Sequence, residues 1–263
     1  MKKLSMVLWL SLIIDLIAIG GFFYYLQPQQ ATLNGLDYQE QEALKELYPI
    51  AKLIAIAIAI QMVSVLLLFV HKKLALFLAM LSGFMTLPLG FVYIIGFLFS
   101  YNNCRFDGFP LFKLVNKKQL SPYLHFRQER FYIITVLLGV AAIIQLSAEV
   151  SMGNIGFVVP IGKVLASAAI VFAFNGIRLA FRPVLGIYGN QLVITPSAFS
   201  KTYQVDCKQV LMKKKGEKTI SFVIQTNSLK EVVNINRNLI EIVDAYAGVD
   251  EIEKKLTQQG AIE

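Results

Sequence analysis

The chain has 263 residues, of which 56% are hydrophobic and only 16% are charged. An ordinary soluble domain carries about 25% charged residues, so the composition excludes a wholly water-soluble protein and places the chain in the membrane class. The net charge is +8, and residues 1–182 hold 15 Lys/Arg against 8 Asp/Glu while residues 183–263 hold 10 against 9. A positive excess confined to the apolar part reports orientation and lipid contact rather than nucleic-acid binding.

A transmembrane helix needs about 20 mostly apolar residues. Leu4–Leu26 supplies the first, interrupted only by Asp15. The run is longer than the 7–15 residues of a signal-peptide core, so it reads as a retained helix. An acidic stretch at 27–48 follows, and a second span runs from Tyr48 to Val70, with Ala51, Ala55 and Ala59 forming a stripe of small residues. Such stripes let helices approach closely, within one chain or between copies in a homo-oligomer.

Leu74–Tyr101 is apolar but holds Pro88, between Gly83 and Gly90, near its middle. Two readings fit: one long kinked helix, or a hairpin of two short ones. Residues 102–130 are basic and aromatic, with Arg105, Lys113, Lys117, Lys118, Arg127 and Arg130 interleaved by Phe106, Phe109, Phe112, Tyr123 and Phe126. Two further spans follow, Phe131–Val150 and Val158–Phe181, the second closed by Arg178 and Arg182 and ended by Pro183.

Cytoplasmic loops carry the excess of Lys/Arg. Lys2-Lys3 places the N-terminus inside, and His71-Lys72-Lys73 returns the chain inside after the acidic loop. A single crossing at 74–101 puts the basic loop and Arg178/Arg182 outside, against the rule. A hairpin that returns to its own side satisfies every loop. The sequence therefore predicts the hairpin, with both termini cytoplasmic.

Beyond Pro183 the pattern turns to short strands. Leu185–Tyr188 and Gln191–Thr195 flank Gly189-Asn190, and Thr202–Met212 and Thr219–Thr226 flank a polar tip with Lys213, Lys214 and Lys215. Glu231–Ile235 is a further strand, and 238–259 reads as helical with an interruption at Gly248. The predicted fold class is an α-helical multi-pass membrane domain plus a small α+β domain.

The last helix pair, the join Arg182-Pro183-Val184-Leu185-Gly186-Ile187 and the strand order resemble bacterial inner-membrane proteins in which a transmembrane hairpin leads into a C-terminal PH-like domain. The likeness covers roughly residues 130–260, and Tyr203, Val205 and Asp206 stand where such sequences often have Trp or an acidic residue. It implies a small antiparallel sheet capped by a helix, and it supplies no catalytic residue. Four regions result: 1–101, two helices and the Pro88-centred hairpin; 102–130, a basic aromatic cytoplasmic loop; 131–182, a helical hairpin; 183–263, the PH-like domain.

Asp15 is the sharpest candidate for chemistry, because a carboxyl inside a span is costly. It reads as a proton or ion site, or as the partner of a neutral polar group such as Gln61 or Asn175; the plainer reading is a packing residue. The two histidines, His71 and His125, and the two cysteines, Cys104 and Cys207, form no metal-ligand spacing, and no catalytic or nucleotide-binding motif is present. No metal, cofactor or nucleic acid is expected. The expected function is a non-enzymatic membrane protein whose PH-like domain binds a protein partner or a lipid headgroup. Arg105, Lys113, Lys117, Lys118, Arg127, Arg130 and Lys213–Lys215 are its candidate contacts with anionic membrane lipids or a partner. The alternative is a small transporter or channel-like component using Asp15, Gln61 and Asn175.

Overall fold

The computed structural model describes residues 4–31, 38–87, 89–112, 120, 122–151, 161–216, 218–225, 230–241 and 247–258. They divide into two compact units, Met1–Cys104 and Arg105–Glu263.

The first unit is helical: α1 (Met6–Ala31), α2 (Tyr38–Leu67), α3 (Lys72–Met85) and α4 (Gly90–Arg105). α1 and α2 each contain a stretch long and apolar enough to cross a membrane, Met6–Tyr24 and Tyr48–Leu67. α3 has 14 residues and α4 has 16, about 21 and 24 Å at 1.5 Å per residue, short of a bilayer core of about 30 Å. α3 stops three residues before Pro88, whose ring disfavours helical geometry in the residue before it; Pro88 itself lies outside the described residues. The two arms fold back on each other. A Cβ on Gly90 would collide with the Gly83 carbonyl, so the crossing requires glycine.

The ends of these helices gather. His71 N–H donates to Leu67 O at 2.7 Å across the turn from α2 to α3. Ser5, at the start of α1, donates its N–H to Ser100 Oγ and its hydroxyl to Gly96 O, both at 2.9 Å. Leu8, Leu12, Val65, Leu68, Ala75, Tyr93, Phe97 and Cys104 form one buried cluster there. The start of α1, the end of α2, the start of α3 and the end of α4 thus share one end of the unit.

The second unit joins two helices to two sheets. α5 (Gln128–Ser151) and α6 (Ile161–Ala180) carry spans at Gln128–Ala148 and Ile161–Ala180. Strands β1 (Tyr123–His125), β2 (Pro183–Tyr188), β3 (Gln191–Ile194) and β4 (Tyr203–Asp206) pair antiparallel in sequence order. β5 (Val210–Lys215), β6 (Thr219–Gln225) and β7 (Lys230–Asn236) form a second antiparallel sheet. α7 (Ala247–Gln258) buries Val249, Ile252 and Leu256 in the same core as both sheets, at the spacing of one helix face.

Several expectations change. The predicted strand Thr202–Met212 is broken by a 3₁₀ turn at Cys207–Gln209, where Asp206 accepts a hydrogen bond from the Lys208 N–H at 3.0 Å. That turn carries the chain from one sheet to the other. Lys213–Lys215 lie in β5 rather than at a hairpin tip. Among the described residues of the helix expected over 238–259, Ala247–Gln258 form α7, after a 3₁₀ turn at Arg237–Leu239, and Gly248 sits inside its first turn. A Cβ there would strike the Leu124 side chain, so the glycine serves a close approach to β1 rather than an interruption.

The largest change concerns 102–130. The described residues of that segment from Arg105 onward belong to the unit that holds the sheets. β1 pairs with β2, and residues 110–112 run beside β4 through Phe112 N–H to Thr202 O and Gln204 N–H to Pro110 O, both 3.0 Å. Phe106 and Phe126 are each 2% exposed and Leu124 is 1% exposed, all in the sheet core. Residues 105–112 and 122–126 thus pair and pack with the strands that follow Pro183. The α5–α6 hairpin is an insertion between two paired strands.

Candidate functional site

Two sets of polar side chains stand out, one in each unit. In the first, α1 supplies Asp15, α2 supplies Gln61 and Ser64, and the bend between α3 and α4 supplies Thr86. Gln61 Nε2 donates to Thr86 Oγ1 at 2.8 Å, and Thr86 donates in turn to Ser82 O at 3.2 Å. Tyr93 on α4 has its hydroxyl 2.5 Å from Ser64 Oγ and 3.0 Å from Gln61 O. Asp15 is 2% exposed and Gln61 is fully buried, yet Asp15 Oδ2 and Gln61 Oε1 have no hydrogen-bond partner. Buried polar atoms of this kind are rare and costly.

A cavity of about 220 Å³ opens beside this cluster. Asp15, Ala18 and Phe22 of α1, Ile54 and Ile58 of α2, and Thr86 at the bend are among its walls. The rest of its lining among the described residues is apolar.

Of the three intramembrane candidates, Asp15 and Gln61 thus fall in one helical unit; Gln61 bonds Thr86, which shares a cavity wall with Asp15. Asn175 is in the other unit. Its Oδ1 accepts from Arg178 Nε at 3.1 Å, and its Nδ2 is buried without a partner. Sequence reasoning missed Ser64, Thr86 and Tyr93. Gln61 and Ser64 share a helix face by spacing, and that signal was available. The link to Thr86 and Tyr93 depends on where the chain folds back.

The basic candidates divide differently. Arg105 is committed: Nε donates to Glu231 Oε2 at 2.7 Å, and Nη2 donates to Val232 O. It caps the open edge of β7, a place where exposed backbone groups otherwise invite aggregation. Arg127 lies 3.8 Å from the Glu129 carboxylate. Arg130 is half-buried in the first turn of α5, and Lys213 is exposed on β5. Lys113, Lys117 and Lys118 lie outside the described residues, as do the side chains of Lys214 and Lys215.

Two arginines at the end of α6 complete the set. Arg178 Nη1 donates to Ser200 O at 2.9 Å, and Nη2 donates to Ala198 O. Arg182 is half-buried, and burial draws its pKa below the ordinary arginine value; a guanidinium nonetheless stays charged at neutral pH. Burial likewise pushes the Tyr123 hydroxyl up, and this hydroxyl is a buried group without a partner. Among the described residues no three His, Cys, Asp or Glu side chains converge as metal ligands.

Comparison of the chain with protein-family models, with curated proteins and with solved structures gives no match. Among the described residues, four helices long and apolar enough to cross a membrane and two small antiparallel sheets are compatible with a helical membrane part joined to a small sheet domain.

Proposed function

We propose that the chain is a non-enzymatic multi-pass protein of a bacterial inner membrane, with both termini cytoplasmic. Its PH-like sheet domain holds anionic lipid headgroups at the membrane surface. The observation that carries this reading is the way the hairpin enters the domain. Two residues, Phe126 and Arg127, separate β1 from α5, and two more, Phe181 and Arg182, separate α6 from β2. A domain tied by two such short connections stays within a few residues' reach of the bilayer surface. The same connections bring Arg127, Arg130, Arg178 and Arg182 to that end of the hairpin. Arginines flanking spans favour the cytoplasmic side, and each basic group near an anionic surface contributes about 1 kcal/mol.

The PH-like reading draws support from the strand layout, four strands and three strands closed over one core by a C-terminal helix. The cytoplasmic orientation draws support from the first unit. The bend between α3 and α4 meets α2 at Gln61, through Thr86, six residues before Leu67, or about 9 Å along the helix. That depth falls inside a bilayer core of about 30 Å. A segment that enters part-way and returns keeps Lys72-Lys73 and Arg105 on one side.

The test is lipid retention. The wild type and an Arg130→Gln/Arg182→Gln variant are purified side by side and their bound phospholipid is measured by native mass spectrometry. The wild type is expected to keep anionic lipid in preference to zwitterionic lipid, and the variant to lose most of that preference. Retention in the wild type should also weaken with salt, because such attraction is screened within about 8 Å at physiological ionic strength. Equal anionic lipid in both proteins would overturn the headgroup reading and leave a protein partner as the better one.

A further inference from the structure

We infer that the cavity between α1, α2 and the α3–α4 bend is a binding site for a lipophilic amine, taken from the membrane in its ammonium form. The inference goes beyond headgroup binding and uses none of its residues.

Among the described residues the cavity wall has two polar side chains, Asp15 and Thr86. Thr86 Oγ1 is already committed, accepting from Gln61 and donating to Ser82. Asp15 Oδ2 has no partner, although the residue is 2% exposed. Among the described residues no Lys, Arg or His lines the cavity, and Asp15 Oδ2 meets no donor from them. A carboxylate left alone in an apolar span is expensive, and either a proton or a paired cation relieves that cost. An ammonium ligand supplies both the charge and the hydrogen-bond donor that Asp15 Oδ2 lacks.

Calcium and magnesium do not suit the site. Calcium takes 6–8 oxygen ligands and magnesium about six in near-ideal octahedral geometry, whereas this wall offers one carboxyl and one engaged hydroxyl. An ammonium group carries its own hydrogen-bond donors and needs a single strong acceptor. The remaining wall, with Ala18, Phe22, Ile54 and Ile58, favours a hydrocarbon body. An apolar cavity of about 150 Å³ holds benzene, so about 220 Å³ takes a body somewhat larger than that ring. The arrangement of one charge-selecting group in an apolar pocket is the usual form of a small-molecule site.

The experiment uses the full chain in nanodiscs of zwitterionic lipid at pH 7. Hexylamine, hexanol and hexanoate are titrated calorimetrically, with the heats of empty nanodiscs subtracted. Hexylamine is expected to give saturable single-site binding, hexanol to bind at least tenfold more weakly, and hexanoate not to bind. Asp15→Asn keeps the side-chain size and is expected to weaken the amine at least tenfold. Ala18→Leu fills the cavity without touching the carboxyl and is expected to abolish binding. Equal affinity for amine and alcohol, or unchanged amine affinity in either variant, would overturn the assignment and leave an acyl-chain crevice. If Asp15→Asn fails to assemble, the amine-to-alcohol ratio in the wild type decides. A negative result leaves the headgroup reading standing, because Arg130 and Arg182 take no part in this site.

Discussion

Arg178 Nη1 donates to the carbonyl oxygen of Ser200 at 2.9 Å, which ties the last turn of a membrane helix to the connection between β3 and β4. The same guanidinium reaches Ala198 O and Asn175 Oδ1. Three acceptors served by one planar fork are a task for arginine, since lysine offers a single point charge. Hydrogen bonds from charged donors contribute about 1.5–3 kcal/mol each. Arg178→Lys is expected to lower stability by about 2–4 kcal/mol and to expose the 196–201 connection to protease. Thermal unfolding and limited proteolysis in detergent check this; wild-type stability in the lysine variant would show that the fork is dispensable.

The sheet domain depends on chain that precedes the α5–α6 hairpin. Phe106, Leu124 and Phe126 are buried among residues from β2 to α7, and burying such side chains contributes about 1.5–3 kcal/mol each. Whole domains hold only about 5–15 kcal/mol. A fragment of residues 183–258 is therefore expected to be unfolded or molten. Residues 105–127 joined to 183–258 by a short glycine-serine linker are expected to fold as a soluble β-rich monomer. Far-ultraviolet circular dichroism and thermal melting of the two fragments decide, and a cooperative melt from 183–258 alone would refute the dependence.

That dependence explains what sequence could and could not reveal. The four long apolar runs were legible because membrane spans need nothing but length and composition. Gly189 was legible as a turn, and it does take a left-handed φ of 57° between β2 and β3. β1 was not legible. It has three residues, and its partner β2 lies beyond the entire hairpin, so no local pattern announces the pairing. The rings of Phe106 and Phe126 suggested a membrane interface for the same reason, since a sequence cannot say which apolar surface a ring meets. Asp15 and Gln61 stood out as polar groups in spans, whereas Thr86 became visible only once the α3–α4 bend placed it against Gln61.

Cys207 offers a test of the core by pH. The residue is fully buried where the chain passes between sheets. Burial, and secondarily the Asp206 carboxylate, push its thiol from 9.0 up to about 11. The folded state therefore prefers the protonated thiol. This preference contributes stability in full below about pH 9, and the contribution is lost as pH rises from about 9 through about 11. In a Cys104→Ala background, reaction with a thiol reagent is expected to be very slow at pH 8 and to rise with a midpoint near pH 11. Asp206→Asn preserves a capping side chain and should move the midpoint down. Ready labelling at pH 8 in the native protein would contradict a sealed Cys207.

The return of the α3–α4 segment is decided by single cysteines in a background with Cys104 and Cys207 replaced by alanine. Lys73 and Lys218 are exposed, and cysteines there are expected to react with an impermeant maleimide only after the inner membrane is opened. Position 34, in the acidic segment between α1 and α2, is expected to react in cells with a permeable outer barrier. Leu89, at the bend, is the informative site. If α3 and α4 reach only the middle of the bilayer, a cysteine at 89 meets hydrocarbon, where thiols ionise poorly, and it stays unlabelled by an aqueous reagent from either side. If the segment instead crosses, residues beyond the bend approach the outer surface. Cysteines at 89 and at Asp107 would then label from outside while 73 labels from inside. That pattern would overturn the hairpin, and the cytoplasmic assignment of the sheet domain with it. Protection of 89 from both sides, together with cytoplasmic labelling of 73, 107 and 218, is the outcome the packing of Gly83 against Gly90 leads us to expect.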